Sequence, residues 1–230
     1  MNKIGIIGAM DEEIIIMKEK MQIHSQKKIA GMIFFEGEFC EKNVVLVRSG
    51  IGKVNAAICS QILVNEFNVD AIINTGVAGA VHAELEVGDI VISNDLVEHD
   101  FDATGFGYKL GEIPRMDTSI FKASDQLIEL AVKASENASH NTKVGRIVSG
   151  DIFVASKEKK DLLWNAFKGY CAEMEGAAIG HTCFMNNIPF VIIRSMSDKA
   201  DGSAHVNYNE FVEEAARNSM EMVQKIIKNL

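Results

Sequence analysis

Lys3-Ile-Gly-Ile-Ile-Gly-Ala9, followed by Met10-Asp11-Glu12-Glu13, is the stretch on which the fold turns. The Ile-rich run ends in small residues and reads as a fully buried strand. The acids after it open a helix over Asp11–Met21, where the positive end of a helix dipole favours negative charge. A strand that is apolar on both faces needs cover on both, so this first unit already points to an α/β sheet.

Working outward, the alternation continues. Met32–Phe39 and Val44–Arg48 read as two strands around the turn Glu41-Lys42-Asn43. Lys53–Phe67 carries Val54, Ala57, Ile58, Ile62 and Leu63 at helical spacing. Ala71–Asn74 is a short strand running into Thr75-Gly-Val-Ala-Gly79, and Ile90–Val97 is another. Asp100–Pro114 reads as a long loop whose Phe101, Phe106 and Tyr108 call for a cover. Helix Gln126–Ala138, strand Lys143–Ser149, helix Lys157–Phe167 and strand Tyr170–Met174 follow. Helix Gly176–Met185, strand Pro189–Arg194 and helix Asn209–Asn229 complete the order. No linker divides the chain, so residues 1–230 are expected to form one domain, a mixed sheet with helices on both faces.

Composition narrows the function. The 230 residues carry a formal net charge of −9, which disfavours sequence-independent nucleic-acid binding. A hydrophobic fraction of 47% excludes a disordered chain. No run approaches the ~18 apolar residues of a membrane span, and the first apolar run is too short for a signal peptide. Cys40, Cys59, Cys171 and Cys183 show no C-x-x-C spacing and are expected to be buried thiols. The expectation is a cytoplasmic protein with no membrane or nucleic-acid partner.

Several motifs fail. Gly50-Ile-Gly52-Lys53 lacks the Walker loop's earlier Gly, since Val47 is there, and Val54 replaces its Ser/Thr. Asn55 breaks a dinucleotide fingerprint. The histidines show no zincin spacing, so no metal and no cofactor are expected. There is no G-x-S-x-G elbow.

Ligands in such sheets bind beyond the strand carboxyl ends. What stands there is acid: Glu13, then Glu173-Met174-Glu175, then Asp198. Each has a plain structural explanation. Glu13 suits a helix first turn, Glu173 and Glu175 share one face of a strand, and Asp198 suits a turn. Arg194 ends an apolar strand, which favours a buried ion pair. Ser149-Gly150-Asp151 reads as a turn. Pattern alone gives a glycosidase or a binding crevice.

The residues also carry a resemblance. Ile4-Gly-Ile-Ile-Gly-Ala-Met-Asp-Glu-Glu13, Ser49-Gly-Ile-Gly-Lys-Val-Asn-Ala56, Asn74-Thr-Gly-Val-Ala-Gly79 and Phe106-Gly-Tyr108 resemble the methylthioadenosine/S-adenosylhomocysteine nucleosidases. So do Ser149-Gly-Asp-Ile-Phe153, Glu173-Met-Glu-Gly-Ala177 and Arg194-Ser-Met-Ser-Asp198. The resemblance implies a purine nucleoside phosphorylase-like fold, a three-layer α/β/α sandwich with a mixed central sheet. It implies a homodimer and hydrolysis of the N-glycosidic bond of methylthioadenosine and adenosylhomocysteine, a step of methionine salvage. 5′-Deoxyadenosine and 6-amino-6-deoxyfutalosine are further substrates of such enzymes.

The same resemblance implies roles. Asp198, oriented by Ser197, protonates or hydrogen-bonds adenine N7; Glu13 activates water; Glu175 holds the ribose hydroxyls, and Arg194 positions the water and balances Glu13. Glu173, Met174, Val77, Ala78 and Gly79 complete the ribose and base walls. Phe153 stacks on adenine, and the Val154 backbone reads its edge. Met10, Ile51 and Tyr208 form the apolar 5′ subsite, to which a partner chain adds Ala103, Phe106 and Pro114. Val77, Ala103 and Tyr208 depart from the Ser, Val and Phe common in the family. A phosphorylase of the same fold is the nearest rival, but the acids in Gly8–Glu13 would repel phosphate. A non-catalytic nucleoside-binding protein is the other rival; retention of Glu13, Glu175, Arg194 and Asp198 together argues against it.

Overall fold

The strand that opens the chain, β1 (Lys3–Gly8), lies parallel between β4 (Lys42–Arg48) and β5 (Ala71–Ala80). Its side chains alternate between two cores. Ile7 packs with Val45, Ile72 and Ile192 on one face, and Ile6 with Leu46, Ile73 and Ile193 on the other. That two-sided burial is why these strands read as unbroken apolar runs rather than alternating ones.

This is a computed structural model, and it describes residues 1–136 and 140–230. The expected end of the helix at Ala138 falls outside the described residues. The remaining elements are α1 (Asp11–Lys20), β2 (Gln22–Ile29), β3 (Met32–Phe39), α2 (Lys53–Phe67), β6 (Ile90–Glu98) and β7 (Phe121–Lys122). They continue with α3 (Asp125–Ser135), β8 (Thr142–Ser149), α4 (Lys157–Phe167), β9 (Cys171–Glu173), α5 (Gly176–Asn186), β10 (Phe190–Asp198) and α6 (Ala204–Lys228).

Strands β2, β3, β4, β1 and β5 lie side by side. From β5 the pairing passes through β10, β6, β8 and β9 and returns to β5, so five strands close a ring. Helices α2 and α5 supply Leu63 and Ile179 to one core, and α1, α3 and α6 supply Met17, Leu127 and Val223 to the other. The result is the expected three-layer sandwich around a mixed sheet. Among the described residues no helix is long and apolar enough to cross a membrane.

Five features differ from the sequence reading. Strand β2 was not legible because its pattern is polar and exposed; it is an edge strand held by pairing with β3. The turn between β3 and β4 is Cys40-Glu41, both in the left-handed region at φ 51° and 63°, so β4 starts at Lys42. Strands β5 and β10 run on to Ala80 and Asp198 because they pair with each other through their Gly and Ser residues. Strand β9 ends at Glu173, and Glu175 is the N-cap of α5, so the two acids do not share a strand face. Helix α6 starts at Ala204, which places Tyr208 on a helix rather than before one.

Gly37 on β3 leaves no room for a side chain: a methyl there would stand 2.1 Å from the carbonyl oxygen of Gln22. Gly37→Ala is expected to lower stability by about 1–3 kcal/mol, the usual cost of overpacking. At about 2–4 °C per kcal/mol for a chain of this size, the shift is readable in a melting curve. Turnover at 25 °C should be unaffected, since β2–β3 lies apart from the cavity described next.

Candidate active site

The carboxyl ends of β1, β5, β9 and β10 surround a cavity of about 390 Å³. That volume suits a small organic ligand. Its walls are both apolar and acidic. Met10, Ile51, Phe153 and Tyr208 supply the first character, and Glu13, Glu173, Glu175 and Asp198 the second.

Glu13 is the third residue of α1, and its side chain folds back over the helix start. Its Oε2 accepts the backbone N–H groups of Ala9 at 2.6 Å and Met10 at 3.1 Å, and its Oε1 accepts that of Val77 at 3.1 Å. This is the reach-back half of a capping box. Three such donors favour the carboxylate, as does the Arg194 charge, yet full burial outweighs them and raises the pKa. Gly76 makes the approach possible. A methyl there would stand 2.5 Å from Glu13 Oε1 and 3.0 Å from Arg194 Nη1.

Arg194 lies behind the cavity wall and is 1% exposed. Its Nη2 donates to Asn74 Oδ1 at 2.6 Å and to Glu173 Oε2 at 2.5 Å, and stands 3.7 Å from Glu175 Oε2. Glu173 is further held by Ser149 Oγ and by the backbone N–H groups of Glu175 and Gly176 at the start of α5. Glu175 Oε1 takes the N–H of Gly52, whose φ of 98° is open to glycine. One guanidinium thus faces Glu13, Glu173 and Glu175. Burial, and then the Glu173 charge, push Glu175 up to about 8. The cluster therefore keeps a proton at neutral pH.

Asp198 stands on the cavity wall at the end of β10 and is 2% exposed. Ser197 Oγ donates to its Oδ2 at 2.9 Å, and the Ala200 N–H to its Oδ1 at 2.7 Å. Burial again dominates and raises the pKa against both bonds. Gly79 clears the space, since a methyl there would lie 2.8 Å from Asp198 Oδ1.

The other expected residues separate into three groups. Met10, Ile51, Val77, Ala78, Gly79, Phe153, Met174, Ser197 and Tyr208 line the cavity. The Tyr208 hydroxyl donates to Met10 Sδ at 3.2 Å, and its ring meets Phe153 edge to face at 5.8 Å. Val154 does not line it; its side chain joins a core of Val81, Val148, Leu163 and Ala200. Ala103, Phe106 and Pro114 lie away from the cavity of their own chain, and Phe106 is 88% exposed. Ala9, Ala172 and Asn209 line the cavity without having been singled out. Asn209 was read only as the first residue of the last helix; with α6 beginning at Ala204 it stands at the cavity beside Tyr208. Among the described residues no group of three or more His, Cys, Asp or Glu is placed to hold a metal ion.

The chain is similar to known proteins over nearly its whole length. The sequence profile of the phosphorylase superfamily matches residues 3–230. A 5′-methylthioadenosine/S-adenosylhomocysteine nucleosidase of Staphylococcus haemolyticus is 44% identical over 228 residues, 99% of this chain and 100% of that one. The crystal structure of the Neisseria meningitidis 5′-methylthioadenosine/S-adenosylhomocysteine nucleosidase with methylthio-immucillin-A superposes with a TM-score of 0.96. It is 40% identical and covers 100% of both chains. The native futalosine hydrolase of Helicobacter pylori superposes with a TM-score of 0.95 at 33% identity, covering 100% of this chain and 98% of that one.

The retained proton has a measurable consequence. Glu175 has a folded-state pKa of about 8 against an ordinary value of 4.5, so between these pH values the folded chain holds a proton that the unfolded chain has lost. Stability from this group is complete below the unfolded value and is lost as pH rises toward 8. Glu175→Gln, which cannot ionise, is expected to melt above the wild type at pH 8.5, with the advantage shrinking toward pH 5. At about 2–4 °C per kcal/mol, melting curves across that range read the trend.

Proposed function

The chain belongs to the 5′-methylthioadenosine/S-adenosylhomocysteine nucleosidase family of the phosphorylase superfamily, and from that premise we propose that it hydrolyses the N-glycosidic bond of such adenine nucleosides. The products are adenine and the 5′-substituted ribose. The observation that carries the reading is the pairing of Glu13 and Asp198 on one cavity, both buried and both raised in pKa.

Breaking this bond builds positive charge on the ribose and negative charge on the base. Asp198, with its pKa raised by burial, is suited to deliver a proton to N7 and make adenine a neutral leaving group. Glu13, also raised, is suited to take a proton from water near neutral pH. Three carboxylates facing one guanidinium and one retained proton leave the cluster with an excess of negative charge. That field favours an oxocarbenium-like transition state. Glu175 is assigned to the ribose hydroxyls, and Phe153 to the adenine face. Arg194 does not line the cavity and acts through Glu173, Glu175 and Glu13. Val77 removes a side-chain hydroxyl from the family pattern, but its N–H still holds Glu13.

Met10, Ile51 and Tyr208 form an apolar end of the cavity suited to a 5′-alkylthio group. The likeness to the futalosine hydrolase supports a second reading, 6-amino-6-deoxyfutalosine as the main substrate. Both substrates present the same adenine and ribose to Asp198 and Glu13. The proposal extends to a cytoplasmic enzyme of methionine salvage acting as a homodimer. Phe106, Val54 and Met185 are 88%, 70% and 64% exposed, large apolar side chains for which a second copy would be a cover. Ala103, Phe106 and Pro114 of that copy are assigned to the 5′ end of the cavity.

Three experiments test this. Incubated with methylthioadenosine, the protein should release free methylthioribose at the same rate with and without phosphate. Asp198→Asn should fold yet lose roughly 10²–10⁴ in kcat, because an amide has no proton to give. Ribose 1-phosphate products, or near-normal turnover by the variant, would reject the assignment. Light scattering alongside kinetics should find a dimer as the active species; a fully active monomer would contradict the shared subsite.

A further inference from the structure

The first residue of α2 is tied to the far side of the cavity by a closed circuit. The Lys53 Nζ donates to Asp100 Oδ1 at 2.6 Å. The other oxygen of Asp100 accepts the backbone N–H of Asp151 at 2.9 Å. Asp151 Oδ1 in turn accepts the backbone N–H of Lys53 at 2.8 Å. The circuit joins the start of α2 to the loop between β8 and α4, which carries Phe153 into the cavity.

Three further contacts surround this circuit, and the last of them reaches the acid cluster. Lys53 Nζ also donates to Glu98 Oε2 at 3.0 Å, and Glu98 Oε1 meets His181 Nδ1 of α5 at 3.0 Å. The N–H just before Lys53, that of Gly52, donates to Glu175 Oε1 at 2.8 Å. The loop itself sits hard on its base: a methyl at Gly150 would lie 2.6 Å from the His99 ring and 3.0 Å from Asp100 Cγ.

We propose that Lys53 is a positioning residue for base recognition, holding the 151–154 loop against α2 so that Phe153 is set at the adenine wall. The proposal rests on the nucleoside-hydrolase reading above. Its physical basis is the pair Glu98 and Asp100, a buried and a partly buried carboxylate that only this ammonium bridges in the circuit. Without it they repel, and Asp100 is the acceptor that fixes the Asp151 N–H. Burial alone would lower the Lys53 pKa, but the two acids outweigh it and keep the amine charged. The acid cluster keeps its own ties through Arg194, so loss of Lys53 should act on binding of the base more than on the chemical step.

The test compares wild type, Lys53→Met and Lys53→Arg. Binding of free adenine is measured by calorimetry, and KM and kcat are measured with methylthioadenosine. Lys53→Met is expected to weaken adenine binding and raise KM by about fivefold or more, with kcat within about threefold, and Lys53→Arg to recover most of the loss. Adenine binding weakened less than about fivefold, or a loss that Arg does not recover, would overturn the proposal whatever happens to the melting temperature. Should Lys53→Met fail to fold, Asp100→Asn keeps the volume and removes one charge, and the same adenine criterion applies to it. Absence of methylthioadenosine turnover by wild type would reject the hydrolase reading, while the adenine measurements would still decide the role of Lys53.

Discussion

A guanidinium sealed inside the protein is the constraint around which the rest of the molecule is arranged. Arg194 is 1% exposed, and an unpaired charge there would be strongly destabilising; breaking a buried pair costs about 3–5 kcal/mol. It is matched by Asn74 from β5, Glu173 from β9, Glu175 at the start of α5 and Glu13 from α1. Each acid comes from a different element, so the ends of β1, β5, β9 and β10 must meet at one point. The closed ring of strands brings them there. Gly76, between Glu13 and Arg194, is then obligatory, as any side chain would force the two apart.

The same arrangement leaves the cluster over-supplied with negative charge. One cation cannot balance three buried carboxylates: burial raises the pKa of both Glu13 and Glu175, and for Glu175 the neighbouring Glu173 charge adds to it. This is a stability cost that a purely structural ion pair would avoid. It becomes useful only when a positive charge develops in the cavity. Asp198 lies outside the cluster, buried and held by Ser197 and Ala200 rather than by a cation, which suits it to keep a proton. Two environments thus divide the acids into one suited to keep and give a proton and a cluster rich in negative charge, the division on which the proposed reading rests.

How much of this was legible in the sequence depended on burial. The β1 run and the α2 pattern declared themselves because two-sided cover and a helical stripe both leave apolar periodicity. The polar β2 left none, since only its backbone is used. The continuation of β5 and β10 through Gly76–Gly79 and Ser195–Asp198 was hidden by small residues chosen to admit Glu13 and Asp198. Glu13, Glu175 and Asp198 were visible as acids after strands, but composition gave them only ordinary explanations. Glu13 does cap its helix, and Asp198 does close a turn, so those explanations hold alongside the site. The resemblance, not the periodicity, separated the two. The hydrogen-bond circuit of Lys53 was not legible at all, because it joins residues about 50 and 100 positions apart through one ammonium and two backbone N–H groups.

The last step concerns which nucleophile the cavity admits. A phosphorylase needs donors for an anion, and the start of a helix is a ready source of them. Here the entrance to α1 offers the N–H groups of Ala9 and Met10, with that of Val77 opposite. All three are bonded to Glu13. The protein's own carboxylate therefore occupies the place an anion would take. A phosphate entering would have to displace Glu13 from three hydrogen bonds and then sit beside Glu173 and Glu175. Water meets neither obstacle, and in the proposed reading Glu13 stands ready as its base. The residue that caps the first helix thus also takes up the N–H donors an anion would need, and under the proposed reading that favours water over phosphate, which joins the opening strand–helix unit of the sequence to the chemistry proposed for the site.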